Sequence, residues 1–209
     1  MVHEIWQCPD DAVAALVLAH GAGAGMRHRN MQAIADAFAA RGIATLRFDF
    51  PFIEEGRKRV DPPAVATARI AAAFRSAGER TRLPLWLGGH SFGGRMASHA
   101  VLTEQIAPVG LVFCSFPLHA AGKPGVERAR HLAEIRLPML FLSGTRDALA
   151  TPALLEQVVK ALPTARLHWL ETADHGYRVL QRERGDKGGV FDEMAREARA
   201  FVDAHQPPS

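Results

Sequence analysis

The sequence predicts a doubly wound α/β domain, in which helices cover both faces of a mostly parallel β-sheet. Short apolar runs recur along the 209 residues, and they lack the polar alternation of a sheet with one solvated face. Segments with apolar residues at helical spacing separate these runs. The composition is 48% hydrophobic and 22% charged, which is typical of a globular chain with a sizeable core. We therefore expect residues 1–209 to form a single α/β domain.

Seven apolar runs are predicted strands, and each one ends at a glycine, a proline or a polar turn residue. In chain order, these runs are residues 2–7, 14–19, 45–50, 83–87, 109–113, 139–142 and 167–170. Because they are short and almost entirely apolar, they suit strands that are buried on both faces. The third run is followed at once by Pro51, which we expect to close that strand.

Five amphipathic segments are predicted helices, beginning near residues 30, 61, 92, 152 and 191. The first has Met31, Ile34 and Phe38 on one face, and the second is predicted to begin with Asp61 as its N-cap and Pro62 at its first helical position. Glycines are placed to end both of these helices, at Gly42 and Gly78.

Charge and cysteine content exclude several classes of function. The net charge is +3, but the basic residues form short scattered clusters and no stripe, so we expect no nucleic-acid partner. Cys8 and Cys114 lack a CxxC spacing and suit a reducing compartment. No signal peptide and no apolar stretch of about 18 residues is evident, so we expect a cytoplasmic protein without a membrane partner. Oligomeric state has no signature in the sequence.

One serine lies between glycines where a predicted strand stops. Gly89-His90-Ser91-Phe92-Gly93 fits the pattern G-x-S-x-G, with a strand predicted before it and a helix after it. This is the context of a nucleophile elbow, a sharp turn that holds a serine hydroxyl above the edge of the sheet. A phosphate-binding loop is the alternative, but the segment lacks the G-x-x-x-x-G-K-[ST] and G-x-G-x-x-G patterns.

Four segments each follow a predicted strand: HGAG at residues 20–23, GHSFGG at 89–94, GTRD at 144–147 and ADHG at 173–176. In open α/β sheets, sites form beyond the carboxyl ends of the strands. The order of these segments resembles the α/β-hydrolase superfamily. With LRFDFPF and SFGGRMAS, the chain is similar to the small, lidless hydrolases that are related to dienelactone hydrolase. The resemblance covers nearly the whole chain and implies acyl transfer through Ser, Asp and His in that order.

The resemblance implies a role for particular residues of this chain. Ser91 would be the nucleophile, and His175 the base, with Gly176 allowing a tight loop. Asp147 falls at the acid position and would hold the imidazole in one tautomer. The backbone N–H groups of Ala22 and Phe92 would form the oxyanion hole, with Gly23 as second choice for the first donor.

Rivals for these roles are assigned structural tasks. Asp174, directly beside His175, is expected to stabilise its loop, and Asp49 is expected to pair with an arginine. His20 should brace the HG turn, and His90 should project away from the serine.

Only about two dozen residues separate the fifth and sixth predicted strands, so we expect no cap domain and an open site for a small acyl substrate. Gly23 and His119 are candidate pocket residues, and Arg95 could bind an anionic substrate, although a carboxylate partner is favoured. No metal-ligand spacing occurs, and we expect neither a metal nor another cofactor. The sequence favours a serine hydrolase of carboxylesterase type. A catalytically silent binding protein and a perhydrolase remain alternatives.

Overall fold

The fold is built around one seven-stranded sheet. The computed structural model describes residues 4–184 and 188–206. The strands are β1 (Glu4–Gln7), β2 (Ala14–Ala19), β3 (Ile43–Phe48), β4 (Leu85–His90), β5 (Leu111–Cys114), β6 (Met139–Gly144) and β7 (Ala165–Leu170). Their order across the sheet is β1-β3-β2-β4-β5-β6-β7, and only β1 runs antiparallel to its neighbour.

Helices connect the strands. They are α1 (Arg29–Ala39), α2 (Pro51–Glu54), α3 (Pro63–Arg80), α4 (Phe92–Thr103), α5 (Pro152–Lys160), α6 (Gln181–Arg184) and α7 (Val190–Ala204). A 3₁₀ helix spans Glu127–Glu134. Within the described part of the chain, none of the helices combines the length and the apolarity needed to cross a bilayer.

The sheet has a separate hydrophobic core on each face, as the apolar strands predicted. Alternate strand residues point to opposite faces, so Val17 belongs to one core and Leu16 to the other. Helices α3, α4 and α5 cover the first core. Helices α1 and α7 cover the second, where Phe38 and Phe201 are almost fully buried. The doubly wound architecture predicted from the sequence is confirmed.

The parallel arrangement brings four loops to one edge of the sheet. Ala19 at the end of β2 pairs with Gly89 near the end of β4, and Gly144 at the end of β6 pairs with Leu170 at the end of β7. Because the strands end in register, the loops that follow them lie at the same edge. These loops contain the four segments that the sequence singled out.

Three predicted element boundaries were wrong: both ends of α3 and the end of β3. Helix α3 begins at Pro63 and not at Pro62, because the Asp61 carboxylate accepts the Phe52 N–H at 3.1 Å and pairs with Arg57 instead of capping the helix. The same helix passes Gly78 and ends at Arg80. Strand β3 ends at Phe48, and Pro51 opens α2 rather than simply closing the strand.

No cap domain interrupts the sheet. The connection between β5 and β6, all of which the structure describes, contains only the 3₁₀ helix and short turns. This agrees with the expectation from the sequence and leaves the carboxyl edge of the sheet uncovered by an inserted domain.

Candidate active site

Ser91 occupies a sharp turn between β4 and α4. Its backbone has φ 51° and ψ −116°, a conformation that costs about 1–3 kcal/mol for a residue with a side chain. A Cβ atom on Gly89 would lie 2.3 Å from the carbonyl oxygen of Ala19, and one on Gly93 would lie 2.5 Å from the same atom. These two glycines therefore allow the turn to pack directly on the end of β2.

The structure brings the three predicted side chains into one hydrogen-bonded series. Ser91 Oγ lies 2.8 Å from His175 Nε2, and His175 Nδ1 lies 2.8 Å from Asp147 Oδ2. An ionised carboxylate can only accept, so this geometry assigns the imidazole proton to Nδ1. Nε2 is then left as an acceptor that faces the serine hydroxyl. This is the tautomer that a general base needs.

Asp147 is held by the turn that follows β6. Its side chain is 0% exposed, and its second oxygen, Oδ1, accepts the N–H of Leu149 at 2.7 Å. Both carboxylate oxygens therefore have partners, which compensates for burial of the charge. The carboxylate cannot rotate away from His175 without breaking the hydrogen bond to the backbone.

Hydrogen bonds from two directions hold the loop that presents His175. Asp174 Oδ1 accepts the N–H groups of Gly176 and Arg178, each at 2.9 Å, which agrees with the expectation that Asp174 stabilises this loop. The side-chain amide of Asn30, at the start of α1, donates to the carbonyl of Gly176 at 2.9 Å. The imidazole is thus positioned by its own loop and by a helix from the other end of the chain.

His90 contributes to the same loop and not to the hydrogen-bonded series. Its Nε2 lies 3.0 Å from the carbonyl oxygen of His175 and donates to it, and its ring packs against Tyr177. Burial lowers the pKa of His90 to about 4, so the ring is neutral near pH 7. Although it is adjacent to Ser91 in sequence, His90 therefore acts on the backbone of His175.

His20 braces the first loop, as expected. Its Nδ1 donates to the carbonyl of Gly21 at 2.8 Å, and its Nε2 accepts the N–H of Phe50 at 3.1 Å. Burial lowers the pKa of His20 and keeps it neutral. Asp49 differs from expectation, because its carboxylate accepts the Met26 N–H at 2.7 Å and forms no arginine ion pair among the described residues.

The two residues expected to supply oxyanion donors, Ala22 and Phe92, belong to segments that border Ser91. Ala22 and Gly23 line the same cleft as Ser91, which has a volume of about 390 Å³. A Cβ atom on Gly21 would lie 3.5 Å from Ser91 Cβ, so the first loop passes close to the serine. Phe92 is the first residue of α4, where a backbone N–H has no acceptor within its helix.

His119 does not line this cleft, which corrects one pocket assignment. The side chain is 5% exposed, its Nδ1 donates to the carbonyl of Ala120, and its Nε2 accepts the N–H of Thr151 at 3.2 Å. Its backbone N–H donates to the carbonyl of Leu149, so it lies behind the loop of Asp147 and supports it.

Arg95 also differs from expectation. It forms no ion pair with a carboxylate in the part of the chain that the structure describes, and its Nε is buried without a hydrogen-bond partner there. Burial lowers the pKa of its guanidinium, with nearby Arg128 as a second cause.

Several residues of the cleft wall were not found from the sequence. Met31 at the start of α1 and Leu149 after Asp147 add apolar surface beside Ser91. No local motif marks them, because they reach the cleft only through the packing of α1 and the turn after β6.

Within residues 4–184 and 188–206, no group of three or more His, Cys, Asp or Glu side chains is arranged to hold a metal ion.

A sequence model of a protein family, described as an alpha/beta hydrolase domain, matches residues 12–203. The chain belongs to this family. The α/β-hydrolase domain also resembles solved structures over nearly its whole length. Dienelactone hydrolase from Anabaena variabilis ATCC 29413 is 18% identical with a TM-score of 0.73, and the match covers 97% of this chain and 91% of that chain.

Two further solved structures show the same hydrolase fold. Est1E from Butyrivibrio proteoclasticus, with ferulic acid bound, is 14% identical with a TM-score of 0.72, and the match covers 98% of this chain and 95% of that one. The monoacylglycerol lipase of Paleococcus ferrophilus is 18% identical with a TM-score of 0.73, and the match covers 99% and 100% of the two chains. At these identities the likeness shows the fold alone.

Proposed function

We propose that this α/β-hydrolase domain is a serine hydrolase that cleaves an ester or a similar acyl bond of a small substrate. The observation that carries the proposal is the hydrogen-bonded series from Ser91 through His175 to Asp147, with 2.8 Å at each step. A serine hydroxyl is a weak nucleophile until a base takes its proton, and His175 Nε2 is within reach of that proton.

The first half of the reaction transfers the acyl group to the protein. As Ser91 Oγ attacks the carbonyl carbon, its proton moves to His175 Nε2, and Asp147 stabilises the imidazolium that forms. The carbonyl oxygen becomes an oxyanion, which the N–H groups of Ala22 and Phe92 bind. His175 then gives the proton to the leaving group, and the acyl group remains on Ser91.

The second half releases the acyl group. Water gives a proton to His175 and attacks the acyl-enzyme, a second oxyanion forms in the same cradle, and Ser91 takes the proton back as the acid leaves. Backbone donors suit this cradle, since they are fixed before the charge develops. Loss of one such donor costs about a hundred- to a thousandfold in rate in well-studied hydrolases.

The shape of the cleft favours small substrates. No cap domain covers the carboxyl edge in the described chain, and the wall beside Ser91 includes small and apolar residues such as Ala24, Met31 and Leu149. We therefore expect acetyl and butyryl esters of nitrophenol to be cleaved faster than long-chain esters. A strong preference for long acyl chains would contradict this expectation. We assign the activity to the carboxylesterase type, although thioesters, lactones, amides and peracid formation require the same groups.

The proposal also includes the surroundings in which the enzyme works. The scattered basic residues favour an enzyme that does not bind nucleic acid, and the two cysteines without a CxxC spacing favour a reducing compartment, for which we propose the cytoplasm. Fractionation of the cells that produce the protein would test the location.

Labelling with a fluorophosphonate probe tests the central claim. We expect one adduct, at Ser91, that is absent in Ser91→Ala and greatly reduced in His175→Ala. Ser98→Ala is the matched control, because Ser98 Oγ also lies 2.8 Å from an imidazole nitrogen, that of His131. This variant should still be labelled at Ser91. A correctly folded protein that is not labelled would indicate instead a catalytically silent binding protein.

A further inference from the structure

We propose, on the basis of the proposed function, that the leaving group of the substrate carries a carboxylate or a phosphate. The observation is a basic extension of the cleft around Ser91. Arg29, Arg146 and Arg178 line it, and we call it the arginine cleft. It has a volume of about 380 Å³ and also reaches His175.

The arginine cleft adjoins the cleft around Ser91. Both are lined by His28, Asn30, His175 and Gly176. The two clefts differ in the loop that follows β2, because Ala22 and Gly23 of that loop line the cleft around Ser91 but not the arginine cleft. A substrate bound at Ser91 can therefore extend past His175 and reach the guanidinium groups.

The three arginines of the arginine cleft have no ion-pair partners within residues 4–184 and 188–206. Arg29, Arg146 and Arg178 are exposed and form no ion pairs among the described residues, and Arg146 donates only to the carbonyl of Thr172 at 3.2 Å. Of the residues that the structure describes, Asp174 is the one acidic residue in the lining, and its Oδ1 already accepts two backbone N–H groups. Three guanidinium groups against one carboxylate leave a site that favours an anion.

The direction of proton transfer indicates which half of the substrate is anionic. His175 Nε2 returns its proton to the leaving group, so that group must lie on the imidazole side of the scissile bond. The arginine cleft is the extension on that side, since Asp174 and Arg178, which flank His175 in its loop, line it and do not line the cleft around Ser91. The acyl group is left with the apolar wall that includes Met31 and Leu149. A negative charge on the leaving group should therefore increase kcat/KM, whereas a negative charge on the acyl group should not.

Esters that differ only in charge test this inference. The butyrate ester of 3-hydroxybenzoate has an anionic leaving group, and the butyrate ester of 3-hydroxybenzamide has a neutral one of similar shape. The butyrate ester of 3-hydroxyphenyl phosphate distinguishes phosphate from carboxylate. The hemisuccinate of 3-hydroxybenzamide moves the charge to the acyl side.

At low ionic strength, we expect kcat/KM for the better anionic leaving group to exceed that of the neutral ester by about tenfold, because exposed ion pairs are individually weak but three cations converge here. The preference should decrease with added salt, since exposed charges are screened beyond about 10 Å at 0.1 M. The hemisuccinate, whose charge is on the acyl side, should have no higher kcat/KM than the neutral butyrate ester of 3-hydroxybenzamide.

Charge-removing variants assign the effect to the arginine cleft. Arg178→Gln and Arg29→Gln should each lower the ratio of kcat/KM between anionic and neutral leaving groups, and the double variant should bring it close to one. Arg75→Gln removes the same charge from an exposed position on α3 and should leave the ratio unchanged. An unchanged ratio in the double variant, or an equal gain for the hemisuccinate, would overturn the inference.

The outcome for the neutral ester separates this inference from the proposed function. If the enzyme cleaves the neutral ester but does not favour the anionic ones, only the inference about the leaving group fails. If no ester is cleaved, the same comparison can be made without turnover. In that case one measures how strongly 3-hydroxybenzoate and 3-hydroxybenzamide each slow the labelling of Ser91 by the fluorophosphonate, and we expect the anionic compound to protect better. If Ser91 is not labelled at all, the proposed function fails, and this inference fails with it.

Discussion

Replacement of Ser91 by glycine should give a more stable protein than replacement by alanine, although both variants lack the nucleophile. The reason is the backbone at this position, with φ 51° and ψ −116°. Both substitutions remove the same hydrogen bond to His175, so that loss cancels when the two variants are compared with each other. The difference then reports the effect of the backbone at position 91 and not the lost hydrogen bond.

The size of the difference follows from two opposing terms. A residue with a Cβ in this conformation carries about 1–3 kcal/mol of strain, which glycine relieves. Glycine also makes the unfolded chain more flexible, which costs about 0.4–1 kcal/mol of stability relative to alanine. We therefore expect Ser91→Gly to exceed Ser91→Ala by about 1 kcal/mol in free energy of unfolding. For a domain of this size, that is about 2–4 °C in Tm.

Ser98 supplies a control in which the sign is reversed. It lies inside α4, where glycine costs about 1 kcal/mol relative to alanine. Urea unfolding of the four variants should give a higher free energy of unfolding for glycine than for alanine at position 91, and a lower one at position 98. The slope of this free energy against urea concentration should be the same for all four variants. If Ser91→Gly is no more stable than Ser91→Ala, the backbone at Ser91 does not carry the strain inferred from its φ and ψ angles.

Three further predictions concern the same edge of the sheet. Gly93→Ala would place a Cβ 2.5 Å from the carbonyl oxygen of Ala19 and should lower the free energy of unfolding by about 3 kcal/mol. Gly23→Ala is the control, because a Cβ there would have nothing within 4 Å, and it should change the free energy of unfolding by less than about 0.5 kcal/mol. Urea unfolding measures both. Asp147→Asn should keep the fold but lower kcat for a nitrophenyl ester by about ten-thousandfold, because Nδ1 loses the carboxylate that selects its protonated tautomer; a loss of less than about tenfold would contradict this role. Because burial lowers the pKa of His90 from 6.5 to about 4, the unfolded chain binds a proton that the folded protein does not. His90 should therefore lower the free energy of unfolding as the pH falls from about 6.5 to about 4, by up to about 1.4 kcal/mol per pH unit. This adds to the effect of His131, whose pKa burial also lowers to about 4. An equally steep decrease in His90→Gln would exclude His90 as a cause.

The sheet was predictable because burial on both faces leaves a direct trace in the sequence. Strand β2 coincides with its apolar run at residues 14–19, since the chain turns sharply at His20. The predicted strand at residues 83–87 differs from β4, which spans Leu85–His90, because β4 continues as extended backbone through Gly88 and Gly89 to the elbow. Glycine has a weak strand preference, so only pairing with β2 and β5 shows that these two residues belong to the sheet.

The positions of Ser91, Asp147 and His175 were predictable for a different reason. Each follows a strand within a few residues, and parallel strands bring such positions to one edge. The partners of charged side chains were not predictable in this way. Asp61 was assigned to a helix cap from its sequence neighbours, but its partners are the Phe52 N–H and Arg57. The arginine cleft likewise combines α1 with the turns after β6 and β7, and no sequence window contains all three.

Ser98 and His131 show why proximity alone does not identify a nucleophile. Their Oγ and Nε2 atoms lie 2.8 Å apart, the same distance as in the pair formed by Ser91 and His175. However, Ser98 donates its hydroxyl proton to the carbonyl of Arg95 at 2.7 Å, so it can only accept from His131. Ser98 is also fully buried, and its proton is directed into its own helix. At Ser91 the carboxylate of Asp147 accepts a hydrogen bond from His175 Nδ1, which keeps the imidazole proton on that nitrogen and leaves Nε2 as an acceptor. The third group therefore decides the direction in which the serine proton moves, and a fluorophosphonate should distinguish the two serines for that reason.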